Sequence, residues 1–62
     1  MDEFEGLSLT TLNNMMSDYR EYATVLQTTK IDFPSDEKLQ KGIDLCHAKI
    51  ERLQLAINEL SS

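Results

Sequence analysis

The sequence predicts an all-α protein: an antiparallel two-helix hairpin that dimerises into a four-helix bundle. Two long segments repeat apolar residues at spacings of three and four, and the stretch "IDFPSDE" separates them. That spacing is typical of heptads, whose apolar a and d positions form a seam along one side of a helix. A short connection folds two such helices against each other. We therefore expect residues 1–62 to form a single helical-hairpin domain.

The first helix is expected over about residues 9–29, after an acidic N-terminal arm of residues 1–7. Ser8 can accept hydrogen bonds from the amides of the first turn, and Gly6 lets the chain turn into the helix. The seam residues of this helix are Leu9, Leu12, Met16, Tyr19, Ala23 and Leu26.

The connection is expected over about residues 30–35 and the second helix over about residues 36–60. Pro34 moves Phe33 out of the helical region and removes an amide donor, so the first helix ends there. Ser35 is expected to cap the second helix, with Asp36 and Glu37 in its first turn at the positive end of the dipole. Its seam residues are Leu39, Ile43, Cys46, Ile50, Leu53, Ile57 and Leu60.

The register of the hairpin follows from matching the two seams. One alignment gives every seam residue of the first helix an apolar partner: it runs from Leu9 opposite Leu60 to Leu26 opposite Ile43. A shift of one heptad would place Leu26 against Asp36. In the favoured register Cys46 faces Ala23, which predicts a buried thiol that fills the core.

The two edges beside the seam differ in polarity. The e positions are all polar: Asn13, Arg20, Gln27, Gln40, His47 and Gln54. The g and c positions on the other side form the c/g face, which we predict as the protein interface: Met15, Tyr22, Val25, Gly42, Leu45, Lys49 and Ala56. A hairpin covers its own a and d residues but not this arc, and exposed apolar surface of this kind marks interaction sites. Gly42 indicates either close approach of a neighbouring helix or a glycine tolerated near a helix start.

The residue inventory predicts no enzyme and no cofactor or metal site. Cys46 is the only cysteine and His47 the only histidine, and on a helix these neighbours point about 100° apart, which suits no tetrahedral zinc site. No nucleophile, base and orienting group can be gathered into a catalytic set.

The net charge and the N-terminal sequence limit the kinds of partner that we expect. Eleven acidic and six basic residues give a net charge of −5, so nucleic acid is not the expected partner. The start "MDEFEGLSL" has no basic flank or long apolar run, which predicts neither a signal peptide nor a membrane anchor. We expect a cytoplasmic protein with no membrane partner.

Four basic residues nevertheless follow one side of the second helix: Lys38, Lys41, Lys49 and Arg52. They can form a solvated face, pair with Asp18 and Glu21 on the first helix of another copy, or bind RNA. In length and two-helix plan the chain is similar to the Rop-type hairpins, which dimerise into four-helix bundles and bind RNA. The similarity is one of architecture.

Two functions are compatible with these patterns. The first is a small acidic interaction module, a homodimer that binds a larger protein as adaptor, chaperone or inhibitor, for example a phage- or bacterium-encoded regulator. The alternative is a Rop-like dimeric regulator that binds structured RNA through the lysine side of the second helix.

Overall fold

Two helices account for most of the computed structural model, which describes residues 4–61. Helix α1 spans Leu9–Asp32 and helix α2 spans Glu37–Ser61. They pack side by side as an antiparallel hairpin with overall dimensions of 41 × 20 × 15 Å. The predicted all-α hairpin is thereby confirmed. Residues 1–3 of the predicted acidic arm lie outside the described residues.

Helix α1 begins where the sequence predicts and ends later. The Ser8 hydroxyl accepts a hydrogen bond from the Thr11 amide at 3.1 Å, as expected of an N-cap. At the other end Phe33 leaves the helix with φ −130° and ψ 63°, and its amide still donates to the carbonyls of Thr29 and Lys30. The helix thus reaches Asp32, the second residue before Pro34.

Helix α2 is capped by Asp36, so the prediction of Ser35 as its N-cap is wrong. The Asp36 Oδ1 atom accepts from the amides of Lys38 at 2.9 Å and Leu39 at 3.3 Å. The Asp36 amide donates to the Phe33 carbonyl at 3.1 Å, and the tight turn this closes leaves Asp36 just outside the helix. A carboxylate there satisfies two exposed amides and adds negative charge at the positive end of the dipole.

The core lies along the predicted seam. Leu12, Met16 and Ala23 of α1 and Ile43, Cys46 and Leu53 of α2 are buried, all at predicted a or d positions. Met16 and Leu53 belong to one cluster, against which Tyr19, Ile50 and Ile57 pack, in agreement with the predicted register. The predicted burial of Cys46 is confirmed.

The seam differs from the prediction at the end where the chain termini lie. Leu9 and Leu60, predicted to face each other, are both exposed. Phe4 is instead 3% exposed and joins Leu12, Met16 and Leu53 in the core cluster. Gly6 has a φ of +85°, which favours glycine, and helps the segment before α1 to fold back onto the hairpin.

Candidate interaction face

The c/g face divides into two parts that differ in exposure. In the part nearer the chain termini, Met15, Lys49 and Ala56 are half-buried. Met15 and Ala56 pack against the cluster that contains Phe4, and the Lys49 Nζ atom lies 5.9 Å from the centre of the Phe4 ring, within range of a cation–π contact. The segment before α1 therefore covers part of the surface that the sequence predicts as a protein interface.

The other part of the face keeps its large apolar side chains in solvent. Tyr22 is 56% exposed, Val25 55% and Leu45 59%. Tyr22 and Val25 lie one helical turn apart on α1, and Leu45 occupies a c position of α2 at about the same distance from the turn in the predicted register. These three exposed residues on the c/g side of the hairpin are called the apolar patch below.

Gly42 has a structural role within the hairpin. It is half-buried, and a Cβ atom placed on it would lie 3.0 Å from the Cδ1 atom of Leu26. The missing side chain lets the Leu26 side chain approach the α2 backbone. Of the two readings of Gly42, the structure favours close approach, and the approaching helix is α1 of the same chain.

The opposite edge is polar along its length. The side chains at its e positions are exposed, except that Gln40 is half-buried. The Gln27 and His47 side chains meet across the hairpin at 3.4 Å between their Nε2 atoms. Near the turn, the Lys30 ammonium donates to the Gln40 amide oxygen, and the Gln40 amide nitrogen donates to Asp44 at 2.9 Å. This edge therefore exchanges polar contacts within the chain, and the side chains at its e positions are all polar.

The basic residues of α2 do not form a uniform ridge. Lys38, Lys41 and Arg52 are exposed, but Lys49 between them is half-buried and lies over the Phe4 ring. Asp18 and Glu21 of α1 are also exposed.

Two exposed apolar residues at the turn were not among the interface residues that the sequence predicts. Ile31 is the most exposed large apolar side chain described, and Phe33 is 61% exposed. Neither residue has a position in the seam, so the heptad pattern placed both only in the predicted connection of residues 30–35. We call Ile31 and Phe33 the tip residues. Phe4 was missed for a similar reason, because a single aromatic residue in an acidic segment shows no periodicity.

Among residues 4–61, no polar or charged side chain is classed as buried, and no three histidine, cysteine or acidic residues come together as potential metal ligands. Neither described helix has the length and apolar character needed to cross a membrane.

No protein-family model matches the chain, and comparison with curated proteins and with solved structures gives no significant match.

Proposed function

We propose that the chain is a protein-interaction module that self-associates through the apolar patch into a four-helix-bundle homodimer and binds a larger protein as adaptor, chaperone or inhibitor. The observation that carries this proposal is the exposure of Tyr22, Val25 and Leu45, each more than half exposed, at g and c positions on one side of the hairpin. Exposed apolar side chains that cluster in this way are typical of interaction surfaces.

The size of the patch indicates an association that depends on concentration. Each of the three side chains is already partly covered, so its full burial is worth about 1 kcal/mol, roughly half of the value for a fully exposed side chain. We expect the free hairpin and the dimer to exchange on dilution.

The tip residues support the second half of the proposal. Ile31 and Phe33 lie at the end of the hairpin, beyond the patch, and a second hairpin on the c/g face would leave them uncovered. We propose them as the contact with the larger protein, since aromatic and branched apolar side chains are common anchors in protein interfaces.

RNA binding is the alternative, and the exposed Lys38, Lys41 and Arg52 are what favours it. Two observations count against it: the net charge of −5 repels a phosphate backbone, and Lys49 contacts the Phe4 ring. Tight binding of structured RNA at physiological salt, lost in Lys38→Glu, would replace the present proposal.

Self-association is tested by light scattering after size exclusion, over a dilution series, on the parent and two variants. Tyr22→Glu places a charge in the proposed interface and should weaken the dimer by several kcal/mol where the site is desolvated. Arg20→Glu, two residues away on the exposed polar edge, should leave association nearly unchanged.

Either of two results would contradict the proposal. A parent that stays monomeric at high micromolar concentration, with a melting temperature unaffected by dilution, would show that the patch does not bind a second copy. Loss of association in the Arg20 variant and not in the Tyr22 variant would show that the other edge forms the interface.

A further inference from the structure

We infer that the two chains of the homodimer pair with both turns at the same end, so that α1 of each chain lies against α2 of the other. This inference rests on the proposed self-association and adds the orientation of the partner. It is carried by the positions of charged residues around the apolar patch.

Two hairpins that meet patch to patch can be related by a two-fold axis in two ways. An axis along the hairpins puts both turns at one end and each α1 against the partner's α2. An axis across the hairpins puts the turns at opposite ends and pairs each helix with its own copy. Neighbouring helices are antiparallel in both arrangements, so helix dipoles do not choose between them. The orientation of the two hairpins therefore depends on the side chains at the interface.

In the same-end arrangement, residues that lie at the same distance from the turn along the hairpin axis meet across the interface; such residues are called level with each other. The register of the hairpin sets these levels: Met16 and Leu53 share one cluster and Leu26 approaches Gly42, as expected where Ala23 is level with Cys46. Tyr22 and Val25 therefore meet Leu45 of the second copy, which places apolar side chains together.

The charged c positions on either side of the patch also match in this arrangement. Asp18 of one chain is level with Arg52 of the other, and Asp32 is level with Lys38. All four side chains are exposed in the hairpin and lie toward the rim of the proposed interface. Opposite charges at a rim fix the orientation of partners more than they add to affinity.

The opposite-end arrangement brings like charges together. When two α2 helices cross in antiparallel fashion at Leu45, residues equally distant from it in sequence face each other. Lys38 and Arg52 occupy c positions seven residues on either side of Leu45. Each of these two residues would then face a basic residue of the second copy, which disfavours this orientation.

The same-end arrangement has a consequence for the larger partner. It brings the two turns, each with Ile31 and Phe33 exposed, next to each other at one end of the bundle. The dimer would therefore present these tip residues twice on one surface.

The orientation is measured by the distance between spin labels at the turn. Ser35, which is exposed, is changed to cysteine in a Cys46→Ala background and labelled, and light scattering verifies that the labelled chain associates as the parent does. Same-end pairing predicts a label separation of roughly 20 Å, since neighbouring helix axes lie about 8–10 Å apart. Opposite-end pairing predicts roughly 35 Å, at about 1.5 Å of rise per residue.

A charge reversal provides a second readout that needs no label. Asp18→Lys should raise the dimer dissociation constant roughly 3- to 10-fold in the same-end arrangement, because it replaces attraction by repulsion at two symmetric contacts. Glu51→Lys makes the same change of charge at an exposed position on the side of the polar edge and should leave the dissociation constant nearly unchanged.

The possible results distinguish the orientation of the dimer from self-association itself. A dimer with labels near 35 Å, and equal dissociation constants for the Asp18 and Glu51 variants, overturns the orientation and leaves the proposed self-association standing. A chain that scatters as a monomer in every sample overturns both.

Discussion

Replacing Phe4 by alanine should destabilise the hairpin although residue 4 precedes both helices. Phe4 is 3% exposed, packs with Leu12, Met16 and Leu53, and carries Lys49 over its ring. Burial of a phenylalanine side chain is worth about 1.5–3 kcal/mol relative to its exposure, and truncation in a rigid core costs about 3–5 kcal/mol. A segment before the first helix can move away and leave no empty cavity, so we expect a loss of about 2–3 kcal/mol.

The expected loss is large for a protein of this size. In domains of 60–100 residues 1 kcal/mol corresponds to roughly 4–8 °C, so Phe4→Ala should lower the melting temperature by about 10–20 °C. Thermal and urea unfolding followed by far-UV circular dichroism measure this loss. The parent and the variants are compared at two fixed concentrations, so that any contribution of self-association is recognised.

Phe33→Ala is the matched control, because it deletes the same ring from a position that is 61% exposed. Its effect should stay within about 0.5 kcal/mol, the usual range for surface substitutions. Equal melting temperatures for the two variants would refute the placement of Phe4 in the core. Met15 and Ala56 would then be expected to be exposed to solvent.

Two further predictions concern the cap of α2 and the buried thiol. Asp36→Ala should destabilise the protein by about 1 kcal/mol, because the hydrogen bonds to the Lys38 and Leu39 amides are lost, while Ser35→Ala should change the stability little. Urea unfolding of the two variants measures the difference. A larger loss of stability in the Ser35 variant would show that Ser35 is the cap. Cys46 should react with a thiol reagent far more slowly in the native protein than in denaturant, and equal rates would contradict its burial against α1.

The sequence predicts the hairpin well because the relevant information is local and repeated. Residues three and four positions apart fall on one side of a helix, so the heptads identify the seam without knowledge of the partner. The buried residues of both helices, from Leu12 to Leu53, lie at the expected positions, and the polar edge lies opposite the c/g face. Ser8 was also recognisable, because an N-cap acts on amides two or three residues away.

The cap of α2 was harder to predict for a geometric reason. Ser35 and Asp36 are adjacent residues that both have suitable oxygens, and the choice depends on how the turn after Pro34 closes. The hydrogen bond from the Asp36 amide to the Phe33 carbonyl sets that geometry and places Asp36 at the cap. From the sequence alone, either Ser35 or Asp36 is a suitable N-cap.

The sequence alone therefore determined which residues join the two helices, because helical periodicity fixes the faces before any tertiary contact forms. The tertiary structure decided how much of the c/g face remains open. Phe4 reaches the core by folding back through Gly6, a non-local contact that leaves no periodic trace, and it covers the end of the face that holds Met15 and Ala56. Burial depends on which segments meet in space, so only the folded chain could show that Met15 and Ala56 are covered while Tyr22, Val25 and Leu45 remain exposed.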